Sequence, residues 1–419
     1  MDRSRAMYCS EDTRFIMDWY YYIAWLVVGA QLLFTYNVAR NYRYALAKFD
    51  RRSNKAYRPR VALIVPCKGL DPQFEANIRS LLHQEYGDYR VHFVVQDRSD
   101  PAYAELCRIR DELAAHPGGP PMEVSVAGPS TACSQKIHNL LYAIERLEDD
   151  TEILAFADSD IRVRRDWLAR LVRPLRKPRR GATTGYRLFV PIRNNLATLG
   201  LSAINAGVAQ MLGNSRFNHA WGGSMAVRLT DFHRLGLPEI WKHTLSDDLS
   251  LSVAVKKAGM TVTFVPACLV ASYESTTWSR LYEFCRRQFL IARVYAPVTW
   301  AVGLFGSLGS VLSLWGTLAV AVYAATVGAE HAWFFAVVPV VSVAGQLLRG
   351  ILRQSMMVRL LRDHIHNFRP AILADVLGFW FWSLLLLIFI VSSAFGRTIR
   401  WRGIRYRLIS PAQTQVLPE

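Results

Sequence analysis

The amino-acid sequence predicts an α/β domain on a mostly parallel sheet, held in the cytoplasm by transmembrane α-helices at both ends. Three features carry that prediction. Between Val61 and Pro266, short apolar runs alternate with longer amphipathic ones, the order that builds parallel sheets covered by helices. An uncharged apolar run, Tyr20 to Val38, is long enough to span a bilayer, and further apolar blocks fill the last third. Arginine and lysine crowd the segments beside these blocks, which the positive-inside rule assigns to the cytoplasm.

Composition narrows the partners. A length of 419 residues allows one large domain or two to three smaller ones. The formal net charge of +17 suits nucleic acid, a membrane surface or an anionic substrate. The apolar blocks favour the membrane, because interfacial arginine accounts for the charge and the chain carries no nucleic-acid motif. No nucleic-acid partner is expected. Six cysteines (Cys9, Cys67, Cys107, Cys133, Cys268 and Cys285) are scattered without a Cys-x-x-Cys pair. That argues against a zinc site or a disulfide framework and fits a reducing compartment.

Residues 1–18 are polar and mixed in charge, and Trp19-Tyr20-Tyr21-Tyr22 opens the first apolar run as an interfacial cluster. No small-residue cleavage site follows, so the run is expected to stay as a signal anchor. Arg40, Arg43, Lys48, Arg51, Arg52, Lys55, Arg58 and Arg60 come next. Val61 to Val65 then reads as a buried strand ended by Pro66 and Gly69, residues 73–84 as an amphipathic helix, and Val91 to Val95 as a strand finishing in Gln96-Asp97. A helix around 101–115, the turn Pro117 to Pro121, a strand over 122–127 and a helix over 135–147 follow. The run Ile153 to Ala157 is too short for a helix and reads as a buried strand. It ends in Asp158-Ser159-Asp160, two carboxylates at the edge where open α/β sheets bind ligands.

Residues 163–178 carry a basic helix, expected to be solvated or to face anionic lipid. Asn194 to Leu212 is uncharged and rich in small residues; its polar positions favour an interfacial or acceptor-covering helix over a short span. Gly222-Gly223-Ser224 opens a strand over Met225 to Arg228, Ser246-Asp247-Asp248 precedes a helix over Leu249 to Ala258, and Val262 to Pro266 is a further strand. Residues 279–296 form a basic amphipathic helix with Arg280, Arg286, Arg287 and Arg293. The apolar blocks are Val298 to Val327, Trp333 to Leu348, and Ala371 to Phe395, the last interrupted by Asp375. One conflict arises at the end. One N-terminal and three C-terminal spans put the tail outside, whereas Arg397, Arg400, Arg402, Arg405 and Arg407 ask for inside. The expectation is a cytoplasmic tail lying on the membrane.

Three acidic sites, Asp97, Asp158 with Asp160, and Asp247 with Asp248, now share one domain. Each alone is explained as a helix cap or surface charge. Together and in this order they suit sugar transfer from a nucleotide diphosphate. One acid holds the nucleotide, a pair binds the cation that neutralises the leaving diphosphate, and a third deprotonates the acceptor.

At this point the chain resembles a known family. Pro66-Cys67-Lys68-Gly69-Leu70-Asp71-Pro72, Val95-Gln96-Asp97 with Asp100-Pro101, Lys136-Ile137-His138-Asn139-Leu140, Asp158-Ser159-Asp160-Ile161-Arg162-Val163 and Asp247-Asp248 resemble ceramide glucosyltransferases, glycosyltransferase family 21, membrane enzymes of the GT-A fold. The likeness covers about residues 60–300 and continues loosely into Trp401-Arg402 and Arg405-Tyr406-Arg407. It implies a GT-A-like, Rossmann-type sheet, with Asp97, Lys136 and Asp158 at the donor, and Asp160 with Asp158 at a divalent metal, Mg²⁺ or Mn²⁺. It also implies Asp248 as catalytic base beside Asp247. The family's final motif, Gln or Arg followed by x-x-Arg-Trp, is matched only by Phe284-Cys285-Arg286-Arg287-Gln288, so Arg287 falls on the arginine as a donor-side contact while Phe284 and Gln288 depart from the pattern. Gly222, Gly223, Ser224, Phe284 and Gln288 are expected in the acceptor region.

The implied organisation is an extracytoplasmic N-terminus (1–18), an anchor (19–39), a basic juxtamembrane linker (40–60), a GT-A catalytic domain (61–278), an amphipathic interface helix (279–296), a membrane region of about three apolar segments (297–396) and a basic tail (397–419). The resemblance implies a UDP-sugar donor, UDP-glucose, and a lipid acceptor, ceramide, in an inner membrane. Another lipid (diacylglycerol or a hopanoid type) or another UDP-hexose is the alternative within the same chemistry. A processive polysaccharide synthase fits less well, given the altered last motif and the few spans. A non-catalytic membrane scaffold or receptor is the alternative from another class.

Overall fold

In a computed structural model, residues 3–50, 57–115, 119–329 and 331–418 of the chain are described. Helix α1 (Arg3–Phe49) runs unbroken through the anchor and on past Arg40, Arg43 and Lys48. The first ten residues of the expected linker are therefore helical, and 51–56 lie outside the described residues. Ala45 and Phe49 are buried against Leu188, Met356 and Leu360, so the end of the anchor belongs to the core and is no tether.

The domain follows as β1 (Val61–Pro66), α2 (Phe74–Leu82), β2 (Tyr89–Val95), α3 (Pro101–Ala114), β3 (Met122–Val126), α4 (Gln135–Ile144), β4 (Ile153–Ala157), α5 (Trp167–Val172), β5 (Arg180–Pro191), α6 (Leu196–Ala209), β6 (Ser224–Arg228), α7 (Leu229–Arg234), α8 (Leu237–Trp241), α9 (Asp247–Lys257), β7 (Thr261–Glu274) and α10 (Trp278–Tyr295). The expected turn at 117–121 lies partly outside the described residues. Seven strands form one sheet in the order β3-β2-β1-β4-β6-β5-β7, with β6 antiparallel between β4 and β5 and the other pairs parallel. The sheet is the mostly parallel one expected. β1 is buried on both faces: Leu63 and Val65 join one core, Ala62 and Ile64 the other, as a continuous apolar run requires. Strand order reverses beside β1, which pairs with both β2 and β4, and this opens a crevice at their carboxyl ends.

Three elements depart from expectation. The basic helix over 163–178 shrinks to α5 and a 3₁₀ turn, Arg173–Arg176, because Pro174 interrupts it and Trp167, Leu168, Leu171 and Val172 turn inward. β5 was not expected at all. β7 runs on to Glu274 past Pro266, which sits in a register shift where its missing N–H costs no ladder bond. At Gly185, close to that shift, a Cβ would lie 1.9 Å from the Cys268 carbonyl oxygen, so only glycine lets the strands approach.

Beyond α10 the chain enters the membrane. α11 (Pro297–Val311), a π-helical turn (Leu312–Gly316) and α12 (Thr317–Thr326) make one span, and α13 (Ala332–Leu360) makes another. α14 (Arg369–Leu377) and α15 (Phe379–Ser392) meet at an 81° bend. Both ends of this bent pair lie against the domain. Phe368 and Ala371 share a core with Leu188 and Leu269, and Arg293 of α10 donates to the Ala394 carbonyl. The pair therefore enters and leaves on one side as a re-entrant hairpin, so that of the described C-terminal helices α11–α12 and α13 are the two that cross, beside α1. Asp375, which interrupts the apolar block, is buried and accepts from Arg353 Nε and Nη2, both at 2.6 Å. α6 is not lipid-facing over most of its length: ten of its residues are buried, between β5 and the hairpin.

The tail is folded and packs on the domain. β8 (Thr398–Trp401), β9 (Ile404–Ser410) and β10 (Gln413–Leu417) form an antiparallel sheet whose Ile399, Tyr406 and Leu408 pack against Leu245, Leu290 and Tyr295. Burial of these alternate side chains holds the tail on the domain. The hairpin leaves it on the domain's side, which removes the conflict between span count and charge.

Candidate active site

β4 ends at the crevice, and Asp158 begins the site. Its Oδ1 accepts from Lys136 Nζ at 2.8 Å and its Oδ2 from Arg187 Nη2 at 2.9 Å. Arg187 Nη1 reaches Asp160 Oδ2 at 2.8 Å, so one β5 guanidinium spans both carboxylates of the Asp-x-Asp pair. Its plane is placed by Trp221, 4.7 Å away, and Phe189, 5.2 Å away. Lys136 lies in the first turn of α4, which Ser134 caps by accepting from Ile137 N. Lys136 Nζ also stands 3.2 Å from Asp247 Oδ2, a buried atom with no hydrogen bond of its own.

Asp247 and Asp248 open α9 behind the cap Ser246. Asp248 Oδ1 accepts from Leu249 N at 2.7 Å and Ser246 Oγ at 2.5 Å, and its Oδ2 accepts from Gly222 N at 3.0 Å. Asp247 is buried while Asp248 is half-buried, so of the two only Asp248 meets the crevice. A Cβ on Gly222 would lie 2.3 Å from Asp247 Oδ2 and 2.7 Å from Lys136 Nζ; on Gly223 it would lie 2.5 Å from Asp158 Oδ2. Both glycines are needed for the backbone to approach the charges.

The electrostatics follow from this packing. Burial works against the Asp158 carboxylate, but Lys136 and Arg187 overcome it and hold Asp158 below the usual range. Burial raises the Asp247 carboxyl, Lys136 opposes the rise, and Asp248 and Asp158 add to it, leaving it at about 6. Arg402, at the β8–β9 turn, donates to Asp71 Oδ1 at 2.7 Å, and Ser159 Oγ donates to Asp71 Oδ2 at 3.1 Å. Arg287 of α10 is lowered to about 10 by burial and then by repulsion from Arg187 and Arg402. Three arginines thus converge on one crevice beside Asp158 and Asp160.

The expected residues divide. Asp158, Asp160, Lys136, Asp247, Asp248, Gly222 and Gly223 come together. Asp97 stands exposed at the end of β2, where it accepts from Ser99 N at 2.7 Å, and touches none of them. Ser224 departs from the acceptor-region expectation: it is fully buried and its hydroxyl accepts from Trp167 Nε1 at 2.9 Å, so it supports the sheet. Phe284 packs edge-on against Phe189 and Gln288 is exposed. Trp401 of the tail lies with its ring 5.8 Å from the Arg287 guanidinium.

For a cation, the donor set is two aspartates. Among the described residues, no group of three or more His, Cys, Asp or Glu converges. Asp160 Oδ1 is nevertheless buried without a hydrogen-bond partner. An orphaned hard oxygen beside a second carboxylate fits a divalent ion that takes its remaining ligands from phosphate and water.

The profile of Glycosyl transferase family 21 matches residues 23–413. The chain belongs to glycosyltransferase family 21. Among solved structures, this family 21 chain is similar to the mannosyltransferase PcManGT from Pyrobaculum calidifontis, solved in complex with GDP-Man and Mn²⁺, at 16% identity and a TM-score of 0.47 over 88% of this chain and 95% of that one. It is also similar to GalNAc-T7, solved with UDP, GalNAc and Mn²⁺, at 12% identity and a TM-score of 0.37 over 56% and 48% of the two chains.

One residue of the family 21 site and one pairing escaped sequence reasoning. Arg187 sits on a strand whose Gly, Thr and Arg content conceals it. Asp71 and Arg402 stood in motifs, and only folding shows that they pair.

Proposed function

We propose that this family 21 member transfers glucose from UDP-glucose to the hydroxyl of ceramide, with inversion, giving a β-glucosylceramide at the cytoplasmic face of the inner membrane. The observation that carries this is the linked set Asp158–Lys136–Asp247 with Asp248 at the crevice, all within a domain built into a membrane anchor. Asp158 and Asp160 would hold a Mg²⁺ or Mn²⁺ ion, which when bound neutralises diphosphate charge. Arg187, Arg287 and Arg402 supply fixed guanidinium donors on the diphosphate side. The acceptor oxygen attacks the anomeric carbon, its proton passes to Asp248, and the carbon–oxygen bond to UDP breaks with the electron pair leaving on the diphosphate. Gly222 N–H and Leu249 N–H, which donate to the Asp248 carboxylate, fix its orientation at the crevice for proton transfer. Asp97, at the carboxyl end of β2, is assigned to the nucleotide.

Charge supports the cytoplasmic side. Arg349, Arg353, Arg359, Arg362, Arg369 and the tail arginines all lie toward the domain, whereas residues 327–331 between the two crossings contain no lysine or arginine. The test is product analysis. Purified protein given UDP-glucose, Mn²⁺ and ceramide should form glucosylceramide with a β linkage by mass spectrometry and NMR. Product only from diacylglycerol or a hopanoid would reassign the acceptor, and no sugar transfer to any lipid would overturn the proposal.

A further inference from the structure

A cavity of about 950 Å³ lies away from the crevice, lined by Arg293, Arg397, Arg407, Ala394 and, on its apolar wall, Val294 and Ile409. Its height in the membrane is set twice over. Arg293 and Val294 precede Pro297, where the first C-terminal crossing starts, and Ala394 follows Ser392, where the re-entrant hairpin ends. Trp300 Nε1 donates to Ser393 Oγ at 2.9 Å and ties these two points together. The cavity therefore opens at the level of lipid headgroups on the domain's side.

Among the described residues, backbone carbonyls and not carboxylates meet its charge. Arg293 donates to the carbonyls of Ala394 and Gly396, Arg397 to that of Ile409, and Arg286 to that of Phe395 at 2.8 Å. Among the described residues, none of Arg286, Arg293, Arg397 and Arg407 pairs with a carboxylate, and the lining contains no acid. Burial, then Arg397 and Arg286, holds Arg293 below its ordinary range. Arg397 and Arg407 are exposed, so a ligand can reach them.

We infer that this cavity binds the phosphate headgroup of an anionic phospholipid, with the guanidiniums on the phosphate and Val294 and Ile409 beside the glycerol. The β8–β9 hairpin runs from this cavity to the crevice. Arg407 pairs with Thr398 at one end of β8–β9, and the turn at Arg402 reaches Asp71 at the other, roughly 10 Å along the strand. A lipid held at the first end steadies the second.

The test uses the full chain in bilayer discs of phosphatidylcholine with increasing phosphatidylglycerol, reading retained lipid by native mass spectrometry. Wild type should retain phosphatidylglycerol over phosphatidylcholine. Arg407→Gln, and then Arg397→Gln with Arg407→Gln, should lose on the order of fivefold in that preference per arginine, with Arg407→Lys close to wild type. Arg280→Gln, an exposed arginine at the other end of α10, should change nothing. An equal loss in Arg280→Gln would make the effect general surface charge and overturn the site. Displacement of the lipid by inorganic phosphate at equal concentration would assign the cavity to a soluble anion and overturn the lipid. Retention is read without any reaction, so failure here and failure of the proposed activity are separable.

Discussion

Replacing Lys136 by methionine tests whether the acidic cluster is held by one shared cation. Lys136 Nζ lies between Asp158 and Asp247, and the three side chains are only 13%, 19% and 4% exposed. Removing one partner of such a buried set leaves uncompensated charge and costs about 3–5 kcal/mol. Arg187 still holds Asp158, so the lower figure is expected at neutral pH. The pH dependence identifies the cause. Asp247 in the folded wild type is raised from 3.8 to about 6, so it favours folding at low pH and that contribution is lost as pH rises through about 6. Asp158 is lowered and acts oppositely: its contribution exists above its unfolded value and is lost as pH falls. Without Lys136 both carboxyls move up. The deficit of the variant should be small near pH 4 and reach its full size above about pH 6, on the order of 10 °C in the thermal midpoint. Tryptophan fluorescence on heating in detergent measures it. A deficit independent of pH would show that lost packing, not charge, is responsible.

Other expectations concern geometry, the metal and the membrane region. Gly222→Ala drives a Cβ between Asp247 and Lys136, and should lower turnover on the order of 10²-fold and cost about 1–3 kcal/mol, whereas Gly207→Ala, with nothing within 4 Å, should leave turnover unchanged. Chelation should stop sugar transfer, Mn²⁺ or Mg²⁺ should restore it, and Asp160→Ala should raise the metal concentration needed by at least about tenfold. Asp375→Leu leaves Arg353 unpaired inside the hairpin contact and should lower stability by about 3–5 kcal/mol, while adding Arg353→Met should recover most of that, as thermal midpoints would show.

Much of the catalytic half was legible because its signals are local. β4 is an apolar run that stops at Asp158, and α9 opens on Ser246-Asp247-Asp248, so both ends of the carboxylate set lie where strand and helix boundaries announce themselves. β5 was not legible: Thr183, Thr184 and Gly185 fill buried positions with small polar residues, because β6 and β7 press too close for larger ones. Arg187 was lost with it. In the tail, the alternation of buried Ile399, Tyr406 and Leu408 is interleaved with arginines, which read as a basic tail lying on the membrane until the partners Leu245 and Leu290 are in place. Likewise the 81° turn at Gly378 leaves hydropathy intact while changing a span into a hairpin.

The central claim is that Asp248, half-buried and held by Gly222 N–H, takes the acceptor proton. Its direct test is the turnover of Asp248→Asn on UDP-glucose and ceramide, with UDP-glucose affinity measured separately. The account predicts a fall in turnover of about 10²–10⁴-fold with donor binding retained. Turnover close to wild type in Asp248→Asn would contradict it.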